Sequence, residues 1–449
     1  KTGGLKDLRG DRFLDNYRMK AFNVILIFLG CWFFLSGGNL DDRVLSSIQL
    51  YSAMLVILLF FAICVFFSGI SFHIGMLLFP AFFLYIYLVN LFFGGGGGSV
   101  VKVVVFTLVV MMACFIANKL TVIEFVETLV IALFLLLIAN IVVSSFFPGI
   151  GLELGKFRGD WKGIFDQKNA LGRLSSLLIA SSILLMLCSK DKSVRIYTGL
   201  VLISAVMVAI NAGSRTGLAT GVLVALLSIL FYLVYYVLND NFVHKKVFVM
   251  LLFLEMLLCF YLVVSNMEVV DLYTNEDGVS IFGNFFSLTG RLTIWDFVIE
   301  HAKGVHFWFG YGLDNFWTFE RFSLIGPMEG MGDFYPEDSH NGYIDVLVQG
   351  GGIGIALYLS IFILVIKSLF GSKLSFAEYA TAFTFIMLFL FSNLTESYTT
   401  KSTNIVNFLF VYSVAFLLLR SAPLHAKGVI TIQPFAYAKK LYISGVARK

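Results

Sequence analysis

The chain has 449 residues, of which 59% are hydrophobic and 13% charged, with 49 Phe and 6 Pro; its mean hydropathy is +0.90. Soluble domains carry about 25% charged residues, so the composition excludes a soluble globular fold and makes lipid the solvent. A net charge of +4 gives no basis for a nucleic-acid partner, and Cys31, Cys64, Cys114, Cys188 and Cys259 stand far apart in apolar runs, without metal or redox spacing.

The first twenty residues are basic and precede an apolar run at 21–37. They carry no convincing small-residue cleavage site, so this run reads as a first transmembrane helix rather than a signal peptide. A span needs about 20 apolar residues. That ruler predicts about twelve helices, over 21–37, 48–67, 71–93, 100–117, 122–146, 170–188, 196–212, 217–238, 247–266, 342–366, 376–393 and 404–420. Lys and Arg concentrate in the first twenty residues, in 189–195, 244–246 and 367–373, and in the tail from Arg420. By the positive-inside rule these segments and both termini are cytoplasmic. The organisation expected is a cytoplasmic N-terminus (1–20), nine spans (21–266), a periplasmic loop (267–341), three spans (342–420) and a basic cytoplasmic tail (421–449).

Between the third and fourth spans stands GGGGGS at 94–99. It has no packing value and the composition of a flexible linker, natural or engineered. Asp41 and Asp42, just after the first span, are a pair able to hold a divalent ion, but an N-cap for the second helix accounts for them more simply. No His/Cys/Asp cluster has metal-site spacing, so neither metal nor cofactor is expected.

The polar chemistry collects on the outer face. In NAGSRTGLATG (211–221) Arg215 opens a helix amid small residues, an anion-site composition that competes with a plain interfacial anchor. In WKGIFDQKNALGR (161–173) Lys168 and Asn169 stand where the chain re-enters the membrane, placed either to mark the interface or to hold a sugar or phosphate. The loop 267–341 is too long to be a plain connection. It contains an amphipathic surface helix, GRLTIWDFVIEHA. Arg291 opens that helix, where a cation opposes the helix dipole unless an anion binds there; a rim salt bridge to Asp296 or Glu300 is the alternative. The aromatic Trp295, Trp308, Tyr311 and Trp317 offer flat faces for sugar rings. His340, in PEDSHNGYIDVLVQGGGIG, stands at the entrance of a span between Asp338, Ser339 and Asn341, beside water, as a candidate base. Glu396, in NLTES, lies on the same face and is left without a role.

Two arginines suit a diphosphate, and a neutral histidine suits an incoming hydroxyl. Together they point to glycosyl transfer from a lipid-linked diphosphate donor. Nearby arginines would lower the pKa of His340 while Asp338 raises it. The rival class, a twelve-span transporter or flippase, calls for broken helices and midplane charges, whereas the polar weight here lies on one face.

Five motifs, GIFDQKNALG, GSRTG, TGRLTIW, GYGLDNFW and SHNGYIDVLVQGGGIG, occur in this order over residues 160–400. The set resembles the O-antigen ligase and Wzy-type polymerase superfamily of bacterial envelopes. The resemblance implies an all-α, GT-C-like, metal-independent, inverting transferase of the inner membrane. Its donor would be an undecaprenyl-diphosphate-linked oligosaccharide at the periplasmic face, and a chain-length regulator would be a further partner. Arg215 and Arg291 would hold the diphosphate and His340 would serve the acceptor, with Lys168, Asn169, Tyr311, Trp317 and Asn341 lining the substrate site. A polymerase uses a second lipid-linked repeat as acceptor; a ligase uses lipid A–core. GIFDQKNALG and GYGLDNFW are more similar to polymerases, and Asp338 stands where ligases often carry a second histidine.

The topology has a direct check. A cysteine introduced at Asp277 should react with an impermeant reagent in intact cells with a permeabilised outer membrane. Reaction only after inner-membrane lysis would reverse the orientation.

Overall fold

A computed structural model describes residues 27, 69–93, 100–154, 157–238, 245–251, 254, 278–281, 284–287, 291–318, 320–321, 336, 338–371, 374–421 and 428–432. The N-terminal segment, the spans expected at 21–37 (apart from Ile27) and 48–67, Asp41 and Asp42, the GGGGGS segment, most of 247–266, position 277 and the tail beyond 432 lie outside the described residues.

Among the described residues, eight helices are long and apolar enough to cross a membrane. They are α1 (Leu78–Phe92, extended by a 3₁₀ turn from Ile74), α2 (Val100–Lys119), α3 (Val122–Phe146), α4 (Lys168–Cys188), α5 (Lys192–Asn211) and α6 (Arg215–Leu238), then α9 (Gly342–Gly371) and α10 (Phe376–Asn393). Each coincides with an expected span to within a few residues. The segment expected at 404–420 forms a shorter helix, α11 (Ile405–Ser421). Two short helices, α7 (Arg291–His301) and α8 (Val305–Phe309), occupy the long loop. The protein is mostly helical and polytopic, as hydropathy implies.

It is not helical throughout. β1 (Ile70–His73) pairs antiparallel with β4 (Val429–Ile432), Ile70 opposite Ile432; β2 (Gly278–Ile281) pairs with β3 (Asn284–Ser287). Strands of four residues are too short to print an alternating pattern, so the sequence reading did not foresee them.

The described chain falls into two compact units. One comprises Lys119–Tyr232 and Phe376–Thr384. Its centre is α4, packed against α3 and α5, with Leu171, Leu174, Leu177, Leu178, Leu184 and Leu185 fully buried. Thr121 caps α3 through a reciprocal capping box with Glu124.

The other unit comprises Val65–Asn118, Leu233–Ser375 and Phe385–Lys449. Here the abundant phenylalanines do the packing. Phe83 stacks on Phe106 at 3.9 Å and Phe389 on Phe410 at 4.2 Å, while Phe79 meets Phe410 edge-on at 5.8 Å. These rings join α1, α2, α10 and α11, each pair adding about 0.5–1.5 kcal/mol beyond its burial.

Two features of this unit position the site. Gly351 breaks α9, with φ 60° and ψ −161°. The carbonyls freed by the break accept from Tyr311 N–H (to Val348, 2.8 Å), Gly312 N–H (to Gln349, 2.9 Å) and Tyr85 O–H (to Gly350, 3.0 Å). A Cβ on Gly310 would come within 2.4 Å of the Gln349 carbonyl, so the approach needs glycine. Below α10, the buried Asn393 folds the following turn back on itself. Its Oδ1 accepts from Tyr398 N–H (3.0 Å), Thr399 N–H (3.1 Å) and the Thr399 hydroxyl (3.0 Å).

Asn393→Ala should therefore leave buried donors without an acceptor, at about 1–3 kcal/mol for each group so stranded. The expected result is a lower unfolding midpoint in detergent than for the wild-type protein. An unchanged midpoint would mean that water takes over the acceptor role.

Candidate functional site

The sharpest local feature is the corner that leads into α9. Asn341 caps the helix, its Oδ1 accepting from Tyr343 N–H at 3.0 Å and Ile344 N–H at 3.2 Å. One turn into α9, the fully buried Asp345 reaches back and accepts from both the N–H (3.1 Å) and the hydroxyl (2.5 Å) of Ser339. Trp295 of α7 donates its indole N–H to the Ser339 carbonyl at 2.8 Å, and Asp338 Oδ1 accepts from His340 N–H at 2.9 Å. From the turn after α10, Ser397 Oγ accepts from Asn341 N–H at 3.1 Å and the Glu396 carbonyl from Gly342 N–H at 3.1 Å. The outcome is that His340 sits at φ 47°, a left-handed conformation that costs a residue with a Cβ on the order of 1–3 kcal/mol. Strain held by so many bonds is a mark of a working position.

Charge gathers around the ring. His340 Nδ1 is 3.5 Å from Asp338 Oδ1 and 3.9 Å from Glu396 Oε2. Glu396 Oε1 meets Arg291 Nη2 at 3.3 Å, and Lys401 Nζ meets Asp338 Oδ2 at 2.6 Å. Glu396 thus stands between the arginine and the histidine. Burial pulls the His340 pKa down, but the carboxylates of Glu396 and Asp338 beside its ring outweigh it, and the net shift is upward. Arg291 contributes the weakest, opposing influence. The lowering expected from arginines is overturned because the expectation omitted Glu396. Asp338 is held well below the usual carboxylate range: burial would raise it, but Lys401 and His340 prevail.

Arg291, His340 and Asn341 are thus brought together, and Arg291 finds its carboxylate in Glu396 rather than in Asp296 or Glu300. Tyr311 is buried in the loop core with Ile294, Trp295, Val298, Phe316, Ile344 and Val348. Its ring stacks on His306 at 3.8 Å and carries the Arg321 guanidinium at 4.5 Å. Trp317 packs half-buried against the same cluster.

The remaining candidates belong to the first unit. Arg215 opens α6, is exposed, and pairs with no carboxylate among the described residues. Lys168 opens α4; its Nζ pairs with Asp160 Oδ2 at 2.6 Å and lies 3.7 Å over the Phe157 ring. Glu153 accepts from Lys168 N–H at 2.7 Å, a carboxylate at the positive end of α4. Asn169, beside it, is half-exposed. Asp160 also lies against the turn before Arg215, since a Cβ on Gly213 would come 2.7 Å from its Oδ2. Among the described residues no group of three or more His, Cys, Asp or Glu is arranged to hold a metal.

Sequence reasoning gave no role to Glu396 and did not notice Asp345 and Lys401. A signal existed for Asp345: a lone carboxylate in the first turn of a membrane helix is costly and usually employed. Glu396 and Lys401 lie more than fifty residues beyond His340, and only the fold brings them to it.

Residues 199–359 match the family model described as O-antigen ligase. The matched stretch contains Arg215, Arg291, His340 and Asp345, while Glu396 lies beyond it. No curated protein matches the chain. Among the described residues the match stands beside eight membrane-length helices and a strained histidine at the mouth of one of them, and over 199–359 the chain is similar to the O-antigen ligase family.

Proposed function

We propose that the protein is an inner-membrane glycosyltransferase that uses an undecaprenyl-diphosphate-linked glycan at the periplasmic face, and that it is a Wzy-type polymerase joining lipid-linked repeats. The observation that carries this reading is His340, held left-handed with Glu396 between it and Arg291, inside the matched stretch.

In this reading the acceptor hydroxyl attacks the anomeric carbon of the donor, the bond from that carbon to the diphosphate breaks with inversion, and His340 takes the hydroxyl proton. Nδ1 faces the carboxylates, which favours its protonated tautomer and leaves Nε2 as the proton acceptor. Arg291 and Arg215 offer guanidinium forks to phosphate oxygens. Arg291 presents its fork with Glu396 as counter-charge; Arg215 presents its fork from the start of a helix. With side-chain cations and a diphosphate leaving group, the transfer needs no metal. Lys168 and Asn169 would serve as glycan contacts of the first unit, Lys168 through an amine that also pairs with Asp160. Trp317, half-buried, keeps part of its surface open for a sugar; Tyr311 supports the loop from within.

A ligase that donates to lipid A–core is the second reading, favoured by the description of the matched family. A transporter would draw on the break in α9. Against it, the carbonyls freed there are taken by Tyr311, Gly312 and Tyr85 and are not left for an ion.

Deletion of the gene followed by gel analysis of surface glycans separates the first two readings. Single repeats on lipid A–core indicate a lost polymerase, and free polymer with bare core a lost ligase. Unaltered glycans would remove both.

For purified protein with lipid-linked substrates, His340→Ala should lower turnover about 10²–10⁴-fold with donor affinity nearly unchanged. The base must be neutral, so activity is lost as pH falls through the raised His340 pKa. The acid limb should bend above 6.5, the ordinary histidine value. Glu396→Gln removes the principal raising influence and should move that bend toward lower pH. A bend that stays in place would mean that Glu396 does not act through His340.

A further inference from the structure

The long loop contains a segment whose surface is wrong for water. In α8, Val305, Phe307, Trp308 and Phe309 are 42–60% exposed. His306 alone is tucked inward, with Nδ1 2.9 Å from the Gly310 carbonyl oxygen and its ring on Tyr311. Four exposed apolar side chains in five residues form a patch that a water-facing loop avoids.

The backbone bonds of this segment fix its depth. Leu313 N–H donates to the Ile86 carbonyl at 2.9 Å, and Tyr85 O–H donates to the Phe309 carbonyl at 3.2 Å as well as to Gly350. With its 3₁₀ turn, α1 has 19 residues for its crossing, about 28 Å at 1.5 Å per residue. The hydrocarbon is about 30 Å thick, so α1 has no turn to spare. Tyr85 and Ile86 are six or seven residues before Phe92, roughly 10 Å inside that end. Residues 309–313, bonded to them, lie at the same depth. Non-helical backbone is tolerated there when its polar groups are satisfied by protein, and Tyr311 and Gly312 donate to the carbonyls freed by the break in α9. The polar boundary follows at once: Asp314 pairs with Lys102, the third residue of α2, at 2.5 Å.

We propose that Val305–Gly312 dips into the bilayer from the end of α9 that bears His340, and that Phe307, Trp308 and Phe309 contact lipid acyl chains. The exposed charges of α7 and the adjoining turn, Asp296, Glu300 and Lys303, stay at the polar surface, so the helix descends only at its tip. The segment serves as a membrane anchor for the loop core that supports His340 through Trp295 and Ser339. The inference concerns the loop's partner and holds whichever glycan reaction the site performs.

The test uses the full chain in proteoliposomes. The tryptophan emission of Trp308→Phe is subtracted from that of the wild type to isolate Trp308 among the five tryptophans. The expected result is loss of the Trp308 signal with lipids brominated on the acyl chain and no loss with aqueous iodide. Quenching by iodide would place the segment in water. Quenching by neither would mean that protein covers it. Either outcome overturns the proposal. Should Trp308→Phe fail to fold, a nitroxide on Phe307→Cys reads the same question: relaxation by oxygen above that by a water-soluble nickel chelate supports insertion, and the reverse overturns it.

Discussion

The buried carboxylate of Asp345 is the constraint on which the site rests. A charge-bearing group inside the first turn of a membrane helix must have hydrogen-bond partners or be lost. It takes two from Ser339, and that pair folds the chain back over the start of α9. The residue left at the apex of the fold is His340, and its left-handed backbone follows from the reversal. The helix cap at Asn341, the indole of Trp295 and the turn after α10 then hold the same corner from three other directions.

A histidine fixed in this way has its neighbours chosen for it. Asp338, two residues earlier, is neutralised by Lys401. Glu396 faces both the imidazole and the Arg291 guanidinium. A carboxylate shared between a cation and a base makes the base stronger, and it engages the guanidinium of Arg291 through Nη2. The pairing thereby resolves the conflict of placing a cation at the start of α7, where the helix dipole repels it.

The break at Gly351 ties this corner to the rest of its unit. A helix interrupted within a membrane must find donors for its freed carbonyls, and the loop supplies them from Tyr311 and Gly312. Tyr311 is also part of the core that contains Trp295 and Ile344. The stretch that satisfies the break is therefore continuous with the packing under His340. The glycines at 310 and 351 serve this close backbone approach, and Gly312 allows a like approach to Asn90 of α1.

Hydropathy alone determined where the membrane helices run, because the demand for about 20 apolar residues is local and one-dimensional. The motifs that carry Arg215, Arg291 and His340 were likewise legible, since each stands in a polar stretch outside the long apolar runs. The ribbons, the break in α9 and the partnership with Glu396 were not. Four-residue strands carry no period, a glycine run reads the same in an intact or a broken helix, and Glu396 is fifty-six residues from His340 in sequence. What the sequence determined is the lipid solvent, the helical class and the kinds of side chain offered at the turns between helices. Only the tertiary structure decided which of those side chains meet, and with it the sign of the shift at His340, because electrostatic interaction depends on distance in space and not on separation along the chain.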